Sequence, residues 1–151
     1  KKIKMKRVLV VFLLISSVVF SQENYNLKKG FVAEGYDVVE YFNNNPEKGN
    51  KKFTTTFDGV KFQFSSKQNL EKFNKEPKKY VPQYGGYCAY AIGKNGEKVD
   101  INPKTFEIRD GKLYLFYNSW GTNTFDLWIK EGAEQLKESA DKNWIKEMNK
   151  N

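Results

Sequence analysis

The sequence contains no histidine and a single cysteine, Cys88. The first absence excludes a Ser-His-Asp triad, a Cys-His dyad and any imidazole metal ligand, since each depends on a ring nitrogen that titrates near neutrality. One thiol allows no internal disulfide, and it cannot supply the four thiolate or imidazole ligands of a structural zinc site. Long apolar runs are equally scarce: one occurs, near the N-terminus, and it is too short to span a bilayer comfortably. What is present is the composition of a folded domain. With 151 residues, 39% hydrophobic and 16% aromatic, the chain can bury one real core but not two, and it is neither a disordered tail nor a membrane bundle.

The formal charge of +8 is carried unevenly. Lys1, Lys2, Lys4, Lys6 and Arg7 precede an apolar run from Val8 to Val19, broken only by Ser16 and Ser17. This order, with small residues at Val19-Phe20-Ser21, predicts a secretory signal over residues 1–21 and cleavage before Gln22. The competing reading is a retained N-terminal anchor helix. Removing residues 1–21 takes away 5 of the 26 basic residues and none of the 18 acidic ones, leaving 21 against 18. The mature chain is then only mildly basic, which gives no argument for a nucleic-acid partner. The expectation is an exported protein, periplasmic or extracellular, with no membrane anchor after cleavage.

Residues 22–31 are polar and aperiodic and read as a linker, leaving residues 32–151 as a single domain. In Gly35-Tyr36-Asp37-Val38-Val39-Glu40-Tyr41-Phe42, Asp37 and Glu40 have capping-box spacing, predicting a turn or two of helix with Val38, Tyr41 and Phe42 on one face. Asp58-Gly59 suits a type I′ turn. Placed at a hairpin tip, it sets Phe57 opposite Val60, Thr55 opposite Phe62 and Phe53 opposite Phe64, with Thr54, Thr56, Lys61 and Gln63 on the other face. Asp110-Gly111 does the same, pairing Ile108 with Leu113 and Phe106 with Leu115 and leaving Glu107, Arg109, Lys112 and Tyr114 opposite. Ser65 and Gln68 then predict a capped helix that buries Leu70 and Phe73 and stops at Lys75-Glu76-Pro77. Phe125, Trp128 and Ile129 predict the inner face of a second helix, interrupted at Gly132, and Leu136, Ala140 and Trp144 form a stripe on a third from Ala133 to Met148. Hairpin, helix and break thus occur twice, offset by 52 to 55 residues. The predicted class is α+β: two antiparallel hairpins forming a small sheet, covered by short helices and a C-terminal amphipathic helix.

The most unusual segment is Tyr80-Val81-Pro82-Gln83-Tyr84-Gly85-Gly86-Tyr87-Cys88-Ala89-Tyr90-Ala91, where tyrosines crowd two glycines and the lone thiol. Together with Gly35-Tyr36-Asp37, the Asp58-Gly59 hairpin ending in Phe62-Gln63-Phe64-Ser65-Ser66, Glu76-Pro77-Lys78-Lys79-Tyr80, Asp110-Gly111-Lys112-Leu113-Tyr114-Leu115, and Ala140-Asp141 with Asn143-Trp144, it resembles the YHS-domain family in its small secreted bacterial branch. The resemblance runs over roughly residues 33 to 146. It implies a domain type associated with metal binding, through a cysteine pair just after the hairpin aromatic. Those two positions are Ser65 and Asn69 here, and the histidine of the family's name is absent.

Three readings of Cys88 remain open: a buried small hydrophobe, a ligand for a soft metal ion such as copper, and a reactive thiol at a helix N-terminus. The leading functional reading is a non-enzymatic module that binds a small ligand or a metal ion. Its candidate pocket is built from Tyr84, Gly85, Gly86, Tyr87, Cys88 and Tyr90. The alternative is a thiol-dependent enzyme or redox protein using Cys88, with Asp100, Lys94 or Lys98 as its neighbour.

Overall fold

The structure is a computed structural model and describes residues 22–150. The expected signal, residues 1–21, lies outside the described residues. Residues 22–31, expected as a linker, already contribute to the sheet. Leu27–Lys28 (β1) and Phe31–Val32 (β2) form an antiparallel ribbon, turned by Lys29 and Gly30 at φ 53° and 85°. Strands of two residues are too short to show alternation, so the sequence carries no period there.

The first Asp-Gly hairpin joins Asn50–Phe57 (β3) to Val60–Phe64 (β4), with Asp58 and Gly59 at φ 51° and 75° as a type I′ turn requires. Phe57 faces Val60 and Thr55 faces Phe62, as expected. The register then slips, and Asn50 rather than Phe53 lies opposite Phe64. Two contacts cause the slip. Asn50 Oδ1 accepts from Lys52 N at 2.9 Å, which coils the strand into an Asx turn. Gly49 lies so close to Gln63 that a Cβ there would come within 2.6 Å of the Gln63 backbone. Phe62 and Phe64 are buried, Phe53 and Phe57 half-buried, and Lys61 exposed. Gln63 is on the opposite face but is covered, its Nε2 donating to Gly49 O at 2.7 Å. β2 adds to β4 in parallel through Phe31 and Lys61, giving the order β1-β2-β4-β3.

A fully buried carboxylate ties this sheet to the next elements. Asp37 Oδ1 accepts from Val39 N at 2.9 Å and Glu40 N at 3.3 Å, shaping the 3-10 turn Glu40–Asn43. Its Oδ2 accepts from Ser65 N, Ser65 Oγ and Asn69 Nδ2, each at 2.8 Å. Because Ser65 is engaged by Asp37, the cap of helix Lys67–Lys75 (α1) moves one residue on: Ser66 Oγ accepts from Asn69 N, in place of the expected Ser65–Gln68 box. Glu40 likewise turns away from its own backbone and accepts from Asn69 Nδ2 at 2.6 Å. Pro77 opens the short helix Pro77–Tyr80 (α2), where its missing N–H is harmless.

A 3-10 segment, Gln83–Gly86, leads into Ala89–Asn95 (α3), then the second hairpin, Asn102–Arg109 (β5) and Lys112–Phe116 (β6). Every pair of the first hairpin recurs 52 residues later: Asn50 with Phe64 becomes Asn102 with Phe116, and Phe57 with Val60 becomes Arg109 with Lys112. Even the Asx turn recurs, Asn102 Oδ1 accepting from Lys104 N at 3.0 Å. The repeat of hairpin geometry includes the slip.

A two-residue-stranded ribbon, Asn118–Ser119 (β7) with Thr122–Asn123 (β8), follows, and Asn123 caps Thr124–Glu131 (α4). Trp128 is fully buried on α4, but Ile129, the next residue round the helix, is 49% exposed, because among the described residues no element covers that flank. Ala133–Met148 (α5) turns Leu136 and Ala140 inward. The β5–β6 ribbon is buried on both faces. Leu113 and Leu115 pack with Phe62, Phe64 and Phe73, while Tyr114 and Phe116 pack with Trp128, Ile92 and Ala140. Tyr114, expected on a polar face, is therefore core. Among the described residues no helix is long and apolar enough to cross a membrane.

Candidate functional site

Three consecutive residues in the 3-10 segment, Tyr84, Gly85 and Gly86, have φ of 57°, 60° and 82°. A tyrosine holds a left-handed conformation only when its surroundings fix it. Tyr84 Oη donates to Asp141 Oδ1 at 2.8 Å, and its ring packs against Tyr114 and Trp144, with centroids 6.0 and 6.2 Å away. Burial, then the Asp141 carboxylate, push its hydroxyl well above the usual tyrosine range.

The glycines make room for the chain itself. A Cβ on Gly85 would stand 1.8 Å from Asn24 O, and Asn26 N donates to Gly85 O at 2.9 Å. Asn26 Nδ2 reaches both Gly86 O, at 3.3 Å, and Asp100 Oδ1, at 3.0 Å. Tyr87 Oη donates to Tyr25 O at 3.2 Å, and Lys98 Nζ sits 5.8 Å from the Tyr87 ring centroid. Residues 24–26 are thus strapped across the motif, and they occupy the close approach that the glycine pair allows.

Cys88 is fully buried and free. Its N–H donates to Val99 O at 2.9 Å, and it bridges to Leu115 of the second hairpin. Its Sγ is 3.3 Å from Thr124 Oγ1. Since the Thr124 hydroxyl gives its one proton to Tyr117 O at 2.7 Å, the thiol is the donor in this contact. The expected neighbours are engaged elsewhere: Lys94 with Glu131 at 2.8 Å, Lys98 with Glu147 at 3.4 Å, Asp100 with Asn26. Tyr90 Oη turns outward and donates to Glu131 Oε1 at 2.8 Å.

Of the six candidate residues, Tyr84 and Gly85 border a cleft of about 640 Å³, and Gly86, Tyr87, Cys88 and Tyr90 do not. The cleft lies between the tip of the first hairpin, the segment from Lys78 to Gly85, and α5. Phe57, Val81, Pro82, Trp144, Ile145 and Met148 make its walls apolar, and Tyr25 and Asn24 of the strap complete it. Tyr25 Oη donates to Asp58 Oδ2 at 2.9 Å; burial and this carboxylate raise the hydroxyl far above its usual range. Apart from Tyr84 and Gly85, none of these residues was expected at a site. They come from five separate segments, and although several of them fall in quoted motifs, nothing in those motifs shows that the segments meet.

Residues 48–84 match the family model of the YHS domain. Over this stretch, about a quarter of the chain, the sequence is similar to the YHS domain. No curated protein and no solved structure matches the chain. The match begins just before β3 and ends at Tyr84, so it spans the first hairpin, α1, α2 and the entry to the glycine pair. The metal binding associated with YHS domains does not fit the donors present in this chain. Ser65 and Asn69, where the resemblance puts a cysteine pair, both donate to Asp37. Cys88 has a hydroxyl rather than a second soft ligand beside it. Among the described residues no three His, Cys, Asp or Glu side chains are grouped to hold an ion.

Proposed function

We propose that this chain is an exported, non-enzymatic module that binds a small organic ligand in the cleft bordered by Tyr84 and Gly85. The observation that carries the reading is the cleft itself: about 640 Å³ of concave surface in which an apolar wall of Phe57, Val81, Pro82, Trp144, Ile145 and Met148 meets polar groups, a form that suits a small-molecule site. Thiol catalysis has less support, because Cys88 is sealed from solvent and faces a hydroxyl instead of a base. Export rests on the pattern of residues 1–21.

Two measurements test this. Screening small aromatic compounds by amide chemical shifts should find binders that perturb Tyr25, Val81 to Gly85 and Trp144. Binders that perturb only the surroundings of Cys88 would overturn the placement. Intact mass of the protein from its native host should begin at Gln22; a mass retaining residues 5–21 would overturn export.

A further inference from the structure

We propose that Asn95-Gly96 is a site of spontaneous deamidation, and that the packing of α5 on the end of α3 sets its rate. It is the one asparagine-glycine pair in the sequence. Glycine has no side chain to shield its own nitrogen, which makes that nitrogen the most accessible of backbone nucleophiles. The Gly96 nitrogen bonds to Asn95 Cγ, the Cγ–Nδ2 bond breaks, and Nδ2 leaves as ammonia with the proton that the Gly96 nitrogen gives up. Water then opens the resulting succinimide to aspartate or isoaspartate.

Asn95 is exposed, so water reaches it. Its Oδ1 accepts from Glu97 N at 3.2 Å, which lays the side-chain amide along the Gly96 peptide and polarises the carbonyl under attack. The nucleophile is what the fold withholds. Asn95 ends α3 and Gly96 caps it at φ 75°, its N–H donating to Ile92 O at 3.0 Å. Ile92 O also accepts from Asn143 Nδ2 of α5 at 2.8 Å, and Asn143 Cβ stands 3.7 Å from where a Gly96 Cβ would be. α5 therefore holds the last turn of α3 closed, and attack waits for that turn to open. The product acts beyond the turn. Isoaspartate routes the main chain through Cβ and adds a negative charge at a helix C-terminus. Just beyond, Lys98 Nζ donates to Glu23 O at 3.2 Å and Asp100 Oδ1 accepts from Asn26 Nδ2 at 3.0 Å, so the same loop holds the strap.

The test follows conversion at Asn95 by peptide mass mapping of the full chain held at mildly alkaline pH. The chain unfolded in concentrated urea should convert at least about tenfold faster than the folded chain, the ratio expected where opening breaks the hydrogen bonds at Ile92 O. No conversion at Asn95 in urea overturns the site, and equal rates overturn its control by the fold. Asn143→Ala should raise the folded rate about threefold, as the loss of one hydrogen bond predicts, and an unchanged rate in the folded variant overturns the role of α5. A second measurement needs no variant. Below the unfolding midpoint the unmodified sequence should convert at a rate that stays flat as urea rises, the mark of one turn opening. A rise in step with the unfolded fraction overturns the role of the α3–α5 contact. Amide exchange at Asn26 should be faster in the modified chain; unchanged exchange there overturns the link to the strap.

Discussion

Gly85 and Cys88 stand three positions apart in the motif yet are constrained by different physics. Gly85 is required twice over, by a φ of 60° and by the Asn24 carbonyl that stands 1.8 Å from where a Cβ would be. Gly111 shares the left-handed backbone, at φ 72°, but nothing lies within 4 Å of its missing side chain. Gly111→Ala should therefore cost only the backbone term, about 1 kcal/mol, whereas Gly85→Ala should cost more than about 3 kcal/mol or release residues 24–26 from the motif. Denaturant unfolding of the two variants, with amide exchange at Asn26, reads the difference. Cys88 has no such geometric demand. Its thiol fills space and donates to Thr124, so Cys88→Ala should cost about 1 to 2 kcal/mol and leave ligand binding in the cleft unchanged. A bulky thiol reagent should label the native protein no faster than it unfolds; rapid labelling would contradict the burial.

At the scale of elements, Asp37 is the joint between the 3-10 turn, the end of β4 and α1, since five donors from these three pieces converge on one buried carboxylate. Asp37→Asn presents an NH₂ group to donors that need an acceptor and should cost about 2 to 4 kcal/mol in chemical denaturation. Ser65→Ala removes one donor of the five while its backbone N–H remains, and should cost less. This joint also shows where sequence reading reaches its limit. The two Asp-Gly tips, the inner faces of both hairpins and the Leu136-Ala140 stripe were legible because each signal is local: a dipeptide, an alternation, a helical repeat. The displaced cap at Ser66 was not, because it follows from Ser65 being held by a residue 28 positions earlier. The slip that replaces Phe53 by Asn50 depends on Gly49 lying against Gln63 across the hairpin. The cleft was legible only at Tyr84 and Gly85. Its other walls come from segments that no period connects, including a strap whose polar composition read as a linker.

For the whole molecule the absence of histidine becomes a statement about pH. No side chain of the 151 has an ordinary pKa between about 5 and 8, so folding should exchange few protons in that window. The acid side is different. Glu40 is held below the usual carboxylate range chiefly by the Asn69 amide, and Asp110 and Glu134 chiefly by hydrogen bonds from Lys137. Glu131 and Glu147 are lowered in the same way by Lys94 and Lys150. A carboxylate lowered in the folded chain stabilises it fully above the unfolded value of about 4, and that stabilisation is lost as pH falls through the folded values. Most of these pairs are exposed, so each contributes little and the acid limb should be gradual. On the alkaline side Tyr25, Tyr41 and Tyr84 are raised, chiefly by burial. Their contribution is fully present below about 10 and is lost as pH rises beyond it, where the unfolded chain ionises and the folded chain resists. Calorimetric Tm measured from pH 3 to 11 should give a plateau between about 5.5 and 9 with a decline on either side. A step in Tm between pH 6 and 7 would require a titrating group that this composition does not contain.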